Sequence, residues 1–183
     1  MSLVFKRLQS NLNIFPLIRE VAENFNDFHT ALGRQKTIPV QKETMTIYLV
    51  KGIRIPGEGN YHSRLSNSQQ IVKTKLYDKY TECKYFLNWF QKTYGGQVYR
   101  VMLVHLQVNG KVYPHTDYGE YYKDKDRFHL GLTGYYDFTV GDETQRFGAG
   151  DLFWFDNKTE HSSKNATPLP RISLIFDAKG CRL

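Results

Sequence analysis

Residues 128–155 read FHLGLTGYYDFTVGDETQRFGAGDLFWF. Four short runs rich in aromatic and β-branched residues, at 128–132, 135–140, 144–147 and 152–155, are punctuated by Gly141-Asp142 and by Gly148-Ala149-Gly150-Asp151. Such residues fit a pleated, half-buried surface, and Gly with Asp supplies the turns, so the stretch reads as successive β-strands. Working outward, residues 98–108, the Asn109-Gly110 turn and residues 111–114 read as strand, tight turn, strand, and residues 172–176 add another. About seven strands in roughly 80 residues predict a mainly β fold, a small jelly roll built as a double sheet.

The texture differs before residue 96. Residues 15–32 carry apolar side chains at 17, 18, 21, 25, 28 and 32, which predicts a helix with Pro16 in its first turn. Residues 46–50 read as a short strand ended by Gly52 and Pro56. Residues 72–94 place Leu76, Tyr80, Cys83, Phe86, Leu87 and Phe90 at helical spacing, and Gly95-Gly96 stops the pattern. No repeat or Pro/Gly-rich linker divides the chain. The expected organisation is a single domain, 1–183, in which a helical and mixed part (1–96) supports a jelly-roll core (97–178), with the N-terminal helices packed on the sheet.

Composition limits the classes of function. The chain has 183 residues, 40% hydrophobic and 15% aromatic, enough to fill a core and too much for a disordered chain. Apolar runs such as Ile172 to Phe176 are far short of the ~20 residues a membrane-spanning helix needs. The start, MSLVFKRLQSNLNIF, has no secretory pattern, and Cys83 and Cys181 cannot form a disulfide framework, so a cytoplasmic protein with free thiols is expected. Cys83 is read as packed on a helix and Cys181 as part of a loose tail. The net charge of +7 invites a nucleic-acid partner. The surplus lies wholly in residues 1–100, where Lys51, Arg54, Arg64, Lys73, Lys75, Lys79, Lys84 and Lys92 are scattered and form no run. A solvated surface is therefore the first reading of that charge, and a phosphate-tracking groove stays open as the alternative.

Chemistry concentrates in the strand-rich half. Residues i and i+2 of a strand point the same way, so His115 and Asp117 in Pro-His-Thr-Asp can present an imidazole and a carboxylate to one point. Alone the tripeptide is weak, since about one chain in three of this composition holds a His-x-Asp by chance. His161, beyond the strand at 152–155, offers a third ligand; two imidazoles and a carboxylate suit a non-haem Fe(II) centre with open positions for oxygen chemistry. Ten residues on, Arg171 shares a strand face with Ser173 and Ile175, and an inward guanidinium on a core strand calls for an anion such as a dicarboxylate cosubstrate. Arg127, His129 and Gly131 alternate with three apolar residues, the pattern either of a ligand-lined strand or of an amphipathic strand facing solvent.

Taken in order, Pro-His-Thr-Asp, Arg-Phe-His-Leu-Gly-Leu, Gly-Asp-Leu-Phe-Trp-Phe-Asp, His161 and Arg-Ile-Ser-Leu-Ile-Phe-Asp resemble the aspartyl/asparaginyl beta-hydroxylase family over roughly residues 97–178. The resemblance implies a cupin-like, Fe(II)- and 2-oxoglutarate-dependent dioxygenase using O2. His115 and His161 would then ligate iron, Arg171 would pair with the distal carboxylate of 2-oxoglutarate, and Arg127 and His129 would contact the cosubstrate near the metal. Animal protein hydroxylases of the family carry Gly where this chain has Asp117; bacterial relatives acting on free amino acids such as proline keep the carboxylate, as here. A complete triad of His115, Asp117 and His161 is thus expected, which argues against halogenation. A serine that helps hold the distal carboxylate in the animal enzymes has no counterpart in Val101-Met102-Leu103-Val104.

The expected activity is hydroxylation of a C–H bond in an amino acid or in an Asp-, Asn- or Pro-like residue of a peptide. The partner would be a small-molecule or peptide substrate, and the oligomeric state stays open. The competing reading is a non-catalytic cupin-like module that binds a metal or ligand, with nucleic acid as the partner of the basic half. Tyr118, Tyr121 and Tyr122, and the loop with Tyr61, His62 and Arg64, are candidate lids as well as ordinary loop residues. His105 is read as a packed histidine and His29 as exposed.

Overall fold

The computed structural model describes residues 3–30, 38–56 and 65–183; Tyr61, His62 and Arg64 lie outside them. The architecture is mainly β, a double-stranded β-helix with helices on one face. The strands are β1 (Phe5–Gln9), β2 (Thr44–Gly52), β3 (Ile71–Lys73), β4 (Gly95–Leu106), β5 (Lys111–His115), β6 (Asp126–Thr133), β7 (Tyr136–Val140), β8 (Glu143–Phe147), β9 (Leu152–Phe155), β10 (His161–Asn165) and β11 (Arg171–Cys181). Seven form one antiparallel sheet in the order β1-β9-β6-β11-β4-β2-β3, and four form the facing sheet, β5-β10-β7-β8. The large sheet therefore draws three strands from before residue 96. Among the described residues no helix is long and apolar enough to cross a membrane.

Helices α1 (Phe15–Glu23) and α2 (Thr81–Tyr94) cover one face of the large sheet. The pleat sends Leu103, Phe128, Leu130, Leu174 and Phe176 toward them, into a core shared with Leu17, Val21, Cys83, Leu87 and Phe90. The alternate residues, among them His129, Arg171 and Ile175, face the small sheet and are equally buried, so the middle of β6 and residues 171–178 of β11 are buried on both faces. That settles the ambiguity of Arg127 and His129: both point inward. Close packing is visible at Gly131 of β6, where a Cβ would collide with the carbonyl of Gly148.

Several local expectations need correction. Residues 15–32 are not one helix: α1 stops at Glu23, Asn24 leaves helical geometry (φ −114°, ψ 19°), and its side-chain amide donates to the Glu20 carbonyl at 2.8 Å, the local competition by which Asn ends helices. A separate 3-10 turn, Phe25–Thr30, follows and carries the exposed His29. The helix expected from residue 72 begins only at Thr81, after β3 and a series of turns. Its start is set by a partner: Glu20 of α1 accepts from the backbone N–H groups of Glu82 (2.8 Å) and Cys83 (3.1 Å), satisfying donors that a helix leaves open. The turn at Asn109 (φ 57°) and Gly110 passes from β4 in one sheet to β5 in the other, so these strands are not a hairpin. Strands β1 and β10 were not expected, and Cys181 ends β11 rather than lying in a loose tail. His105, on β4, is buried against Phe25 and Phe28 as expected.

A cluster of aromatic rings lies where α2 meets the sheet. The ring of Phe90 stands edge-on to Phe128 (4.8 Å between centroids) and Phe176 (4.7 Å), which are themselves stacked at 5.3 Å. All three are fully buried. Phe90→Ala is expected to destabilise the fold by about 3–5 kcal/mol, measured as a lowered urea midpoint with an unchanged slope.

Candidate metal centre and anion pocket

His115 ends β5, His161 begins β10, and the two are register partners across the small sheet. Cross-strand partners bring side chains together, and the ring centroids lie 4.4 Å apart. Asp117 follows two residues after His115. Its backbone N–H donates to the Asn157 carbonyl at 3.1 Å, and the Asn157 amide donates to its Oδ2 at 3.2 Å, tying it to the loop that leads into β10. One candidate ligand atom from each of His115, Asp117 and His161 falls within 4.8 Å of the others, a group compatible with metal binding. Nδ1 of His115 is 2.7 Å from the Tyr113 carbonyl and Nδ1 of His161 is 3.0 Å from the Thr159 carbonyl. A carbonyl only accepts, so each Nδ1 carries the proton and each Nε2 presents its lone pair, the orientation metal-binding imidazoles need.

Asp117 is also held by Arg127, whose Nη1 lies 2.5 Å from the same Oδ2. Arg127 Nε and Nη2 grip Asp177 of β11 at 2.7 and 3.2 Å, and Nη2 reaches the Tyr122 hydroxyl at 3.4 Å. The resemblance implies a cosubstrate contact for Arg127; in the structure its donors serve Asp177, Asp117 and Tyr122, which makes it the partner that orients Asp117. Because Oδ2 is occupied, Oδ1 is the oxygen left for a metal. Burial would raise the Asp117 carboxyl, but Arg127, His161 and His115 outweigh it and hold it below the usual carboxylate range. Tyr121 and Tyr122 are struts rather than a lid: Tyr121 is fully buried with its hydroxyl on Asp177 at 3.1 Å, and Tyr122 bridges Arg127 and Arg100. Tyr118 alone of the three is exposed (65%).

Beside the triad, a cleft of about 420 Å³ including its mouth runs between the sheets, lined by His115, His161, Arg127, His129, Arg171 and Gln41 with the apolar Met102, Val104, Val112, Phe138 and Ile175. Arg171 is only 1% exposed and makes no ion pair among the described residues. Its Nη1 donates to Ser163 Oγ at 3.2 Å, its guanidinium lies 4.2 Å from the Tyr136 ring centroid, and its Nε has no partner. Burial without a counter-charge draws even this guanidinium below its ordinary pKa. The His129 Nδ1 is buried without a partner as well, and the buried Tyr136 and Ser173 hydroxyls have only each other as partners. Native interiors leave few such groups, and each calls for an explanation. Burial, with Arg171 and Arg127 close by, keeps His129 well below the usual imidazole range, hence neutral.

Sequence reasoning missed Ser163 and Gln41. Ser163 lies two residues after His161 on the same inward face of β10, so the i, i+2 rule would have found it had the polar run His-Ser-Ser-Lys-Asn been read as a strand.

A family model for aspartyl/asparaginyl beta-hydroxylase matches residues 60–180. The chain belongs to this family. Within the hydroxylase family's matched region lie His115, Asp117, Arg127, His129, His161 and Arg171, whereas Gln41 lies outside it. No curated protein sequence matches the chain. Similar solved structures include the cupin domain of Schizosaccharomyces pombe Cnp3 (16% identity, 44% of this chain and 56% of that one, TM-score 0.39). A predicted oxalate decarboxylase of Thermotoga maritima (17%, 45% and 68%, 0.39) and a protein with a double-stranded beta-helix domain from Klebsiella pneumoniae (18%, 44% and 67%, 0.38) are similar to the same degree.

Burial also lowers His161 to about 4, against the attraction of Asp117. Unfolded, the same imidazole takes up its proton near 6.5. Between those values the unfolded chain binds the extra proton, so the metal-free protein loses stability as pH falls from 6.5 to 4, by on the order of 3 kcal/mol from this residue. Urea midpoints across that range should decline, and the decline should be shallower in His161→Gln.

Proposed function

We propose that this chain is an Fe(II)- and 2-oxoglutarate-dependent dioxygenase that hydroxylates a C–H bond of an amino acid, or of an Asp-, Asn- or Pro-like residue in a peptide. The observation that carries the reading is Arg171: an interior cation with no acidic partner among the described residues, in the same cleft as the His115, Asp117 and His161 group. A metal at one end and an uncompensated guanidinium at the other suit a bidentate anion that reaches both.

When bound, Fe(II), 2-oxoglutarate and O2 supply the oxidation, in which the cosubstrate gives succinate and CO2, one oxygen atom entering succinate and the other the new C–OH. The protein's own contribution is placement and polarity. Nε2 of His115, Nε2 of His161 and Oδ1 of Asp117 would hold the metal on one side, with Arg127 and Asn157 fixing the carboxylate by its other oxygen. Arg171 and Ser163 would receive the distal carboxylate, and the neutral His129, with its partnerless Nδ1, would offer a hydrogen bond within the cleft without adding charge. Met102, Val104, Phe138 and Ile175 make the walls apolar, which keeps water away and strengthens each polar contact.

Anaerobic addition of Fe(II) and 2-oxoglutarate should produce a weak visible charge-transfer band, and air should then yield succinate. Release is to be screened across amino acids, short peptides and a metabolite extract; neither band nor succinate would overturn the proposal. Asp117→Ala is expected to lose both iron and turnover, while Arg171→Ala should raise the 2-oxoglutarate requirement roughly a hundredfold with the metal retained. Undiminished turnover in Asp117→Ala would remove the triad.

A further inference from the structure

We infer that Gln41 is a specificity-determining residue of the cleft, its carboxamide joining Arg171 and Ser163 to receive the second carboxylate of a 2-oxo dicarboxylate. The inference rests on the proposed function.

Gln41 ends a 3-10 turn, Pro39–Gln41, in the N-terminal part of the chain. It is only 5% exposed and it lines the cleft. Its backbone is satisfied: the N–H donates to Ile38 at 2.9 Å and the carbonyl accepts from Thr44 Oγ1 at 2.8 Å. Its carboxamide makes no hydrogen bond to a described residue. Neither of its carboxamide atoms is among the interior polar groups sealed in without a partner, and the residue lines a cleft that also contains an uncompensated cation.

Register places the turn that carries Gln41 at the Arg171 end of the cleft. Thr44 pairs with Leu106, and Leu106 pairs with Arg171, so the turn before β2 sits beside the start of β11. The same turn packs on β5, where Val112 is the partner of Ser163, whose Oγ accepts from Arg171. The turn is pinned to both sheets by Glu43. That carboxylate accepts from the Lys111 N–H at 2.8 Å and the Tyr113 hydroxyl at 2.5 Å, while its carbonyl accepts from the Gln107 N–H at 3.4 Å. Gln41 is thus held by packing rather than by its own side chain, which leaves the amide available. Being neutral, it donates to a carboxylate without competing for Arg171. A Glu at this position would instead pair with Arg171 and repel the ligand.

The test uses the full chain loaded with Mn(II) and titrated calorimetrically with two probes, 2-oxoglutarate and 2-oxopentanoate, which has a methyl group in place of the second carboxylate. Wild type should prefer 2-oxoglutarate. Gln41→Leu should weaken 2-oxoglutarate binding about tenfold and leave 2-oxopentanoate unchanged, because one hydrogen bond to a charged group is lost. Gln41→Glu should weaken 2-oxoglutarate roughly a hundredfold or more with undiminished Mn(II) uptake. An equal loss for both probes in Gln41→Leu, or wild-type affinity in Gln41→Glu, overturns the inference while the proposed function stands. Wild-type protein that binds Mn(II) but not 2-oxoglutarate overturns the proposed function itself.

Discussion

Arg127 is an interior cation clamped between two carboxylates, and much of the site's geometry follows from keeping those three charges compensated. Asp177 belongs to β11 in the middle of the large sheet, whereas Asp117 belongs to the loop after β5 in the small one. The guanidinium joins the two sheets and tells the Asp117 carboxylate which oxygen to turn away. Burying any one of these groups without its partners would cost several kcal/mol, so the loop cannot relax into solvent cheaply. Tyr121 and Tyr122 extend the arrangement. The Tyr121 hydroxyl donates to Asp177 and accepts from the Arg100 N–H, and Arg100 in turn lies over the Tyr121 ring and donates to the Leu65 and Ser68 carbonyls.

The strands from residue 95 onward, β10 excepted, were legible because their residue types and turn signals agree: Gly, Asp and Asn fall between aromatic and β-branched runs, and the observed boundaries of β6 to β9 differ from the expected ones by two residues at most. What escaped depends on tertiary partners. Spacing alone could not show that α2 waits for the Glu20 carboxylate before it begins, nor that Leu76 and Tyr80 precede it in turns. The Asn109-Gly110 signal marks a tight reversal correctly, but a reversal within one sheet and a step between two sheets use the same residues. Strand β10 was invisible by composition, since its inward residues are His161, Ser163 and Asn165.

That last failure has the same cause as the site itself. A strand that lines a polar cleft places polar residues where a core strand would place apolar ones, so local propensity contradicts the fold where function is built. The charged and imidazole side chains could be found from sequence because His115 and Asp117 stand at i and i+2, and Arg127, His129 and Arg171 lie on strands whose other face is apolar. Ser163 and Gln41 carry no comparable signal. One is a small residue in a polar run, and the other reaches the cleft from a turn far away in sequence, brought in by the pairing of β2 with β4.

Charge balance connects the two ends of the cleft. Asp117 and Asp177 carry one negative charge each, Arg127 and Arg171 one positive charge each, and the buried His129 and His161 are neutral, so these interior charges cancel. Yet the cancellation is lopsided: Asp117, Asp177 and Arg127 are clustered beside the His115 and His161 pair, with a surplus of one negative, and Arg171 stands apart without a carboxylate partner among the described residues. A divalent cation at the triad would turn the first end net positive and leave both ends seeking an anion. A dianion with one negative group at each end neutralises both at once, whereas a monoanion leaves Arg171 uncompensated in a medium where isolated charge is costly. The Arg171 Nε and the His129 Nδ1, both buried without partners, make the same demand in hydrogen bonds. The positive surplus of residues 1–100 adds little to this balance: its described lysines are at least partly exposed, Arg100 is held by the Leu65 and Ser68 carbonyls and the Tyr122 hydroxyl, and Gln41 is the described residue of that half that lines the cleft.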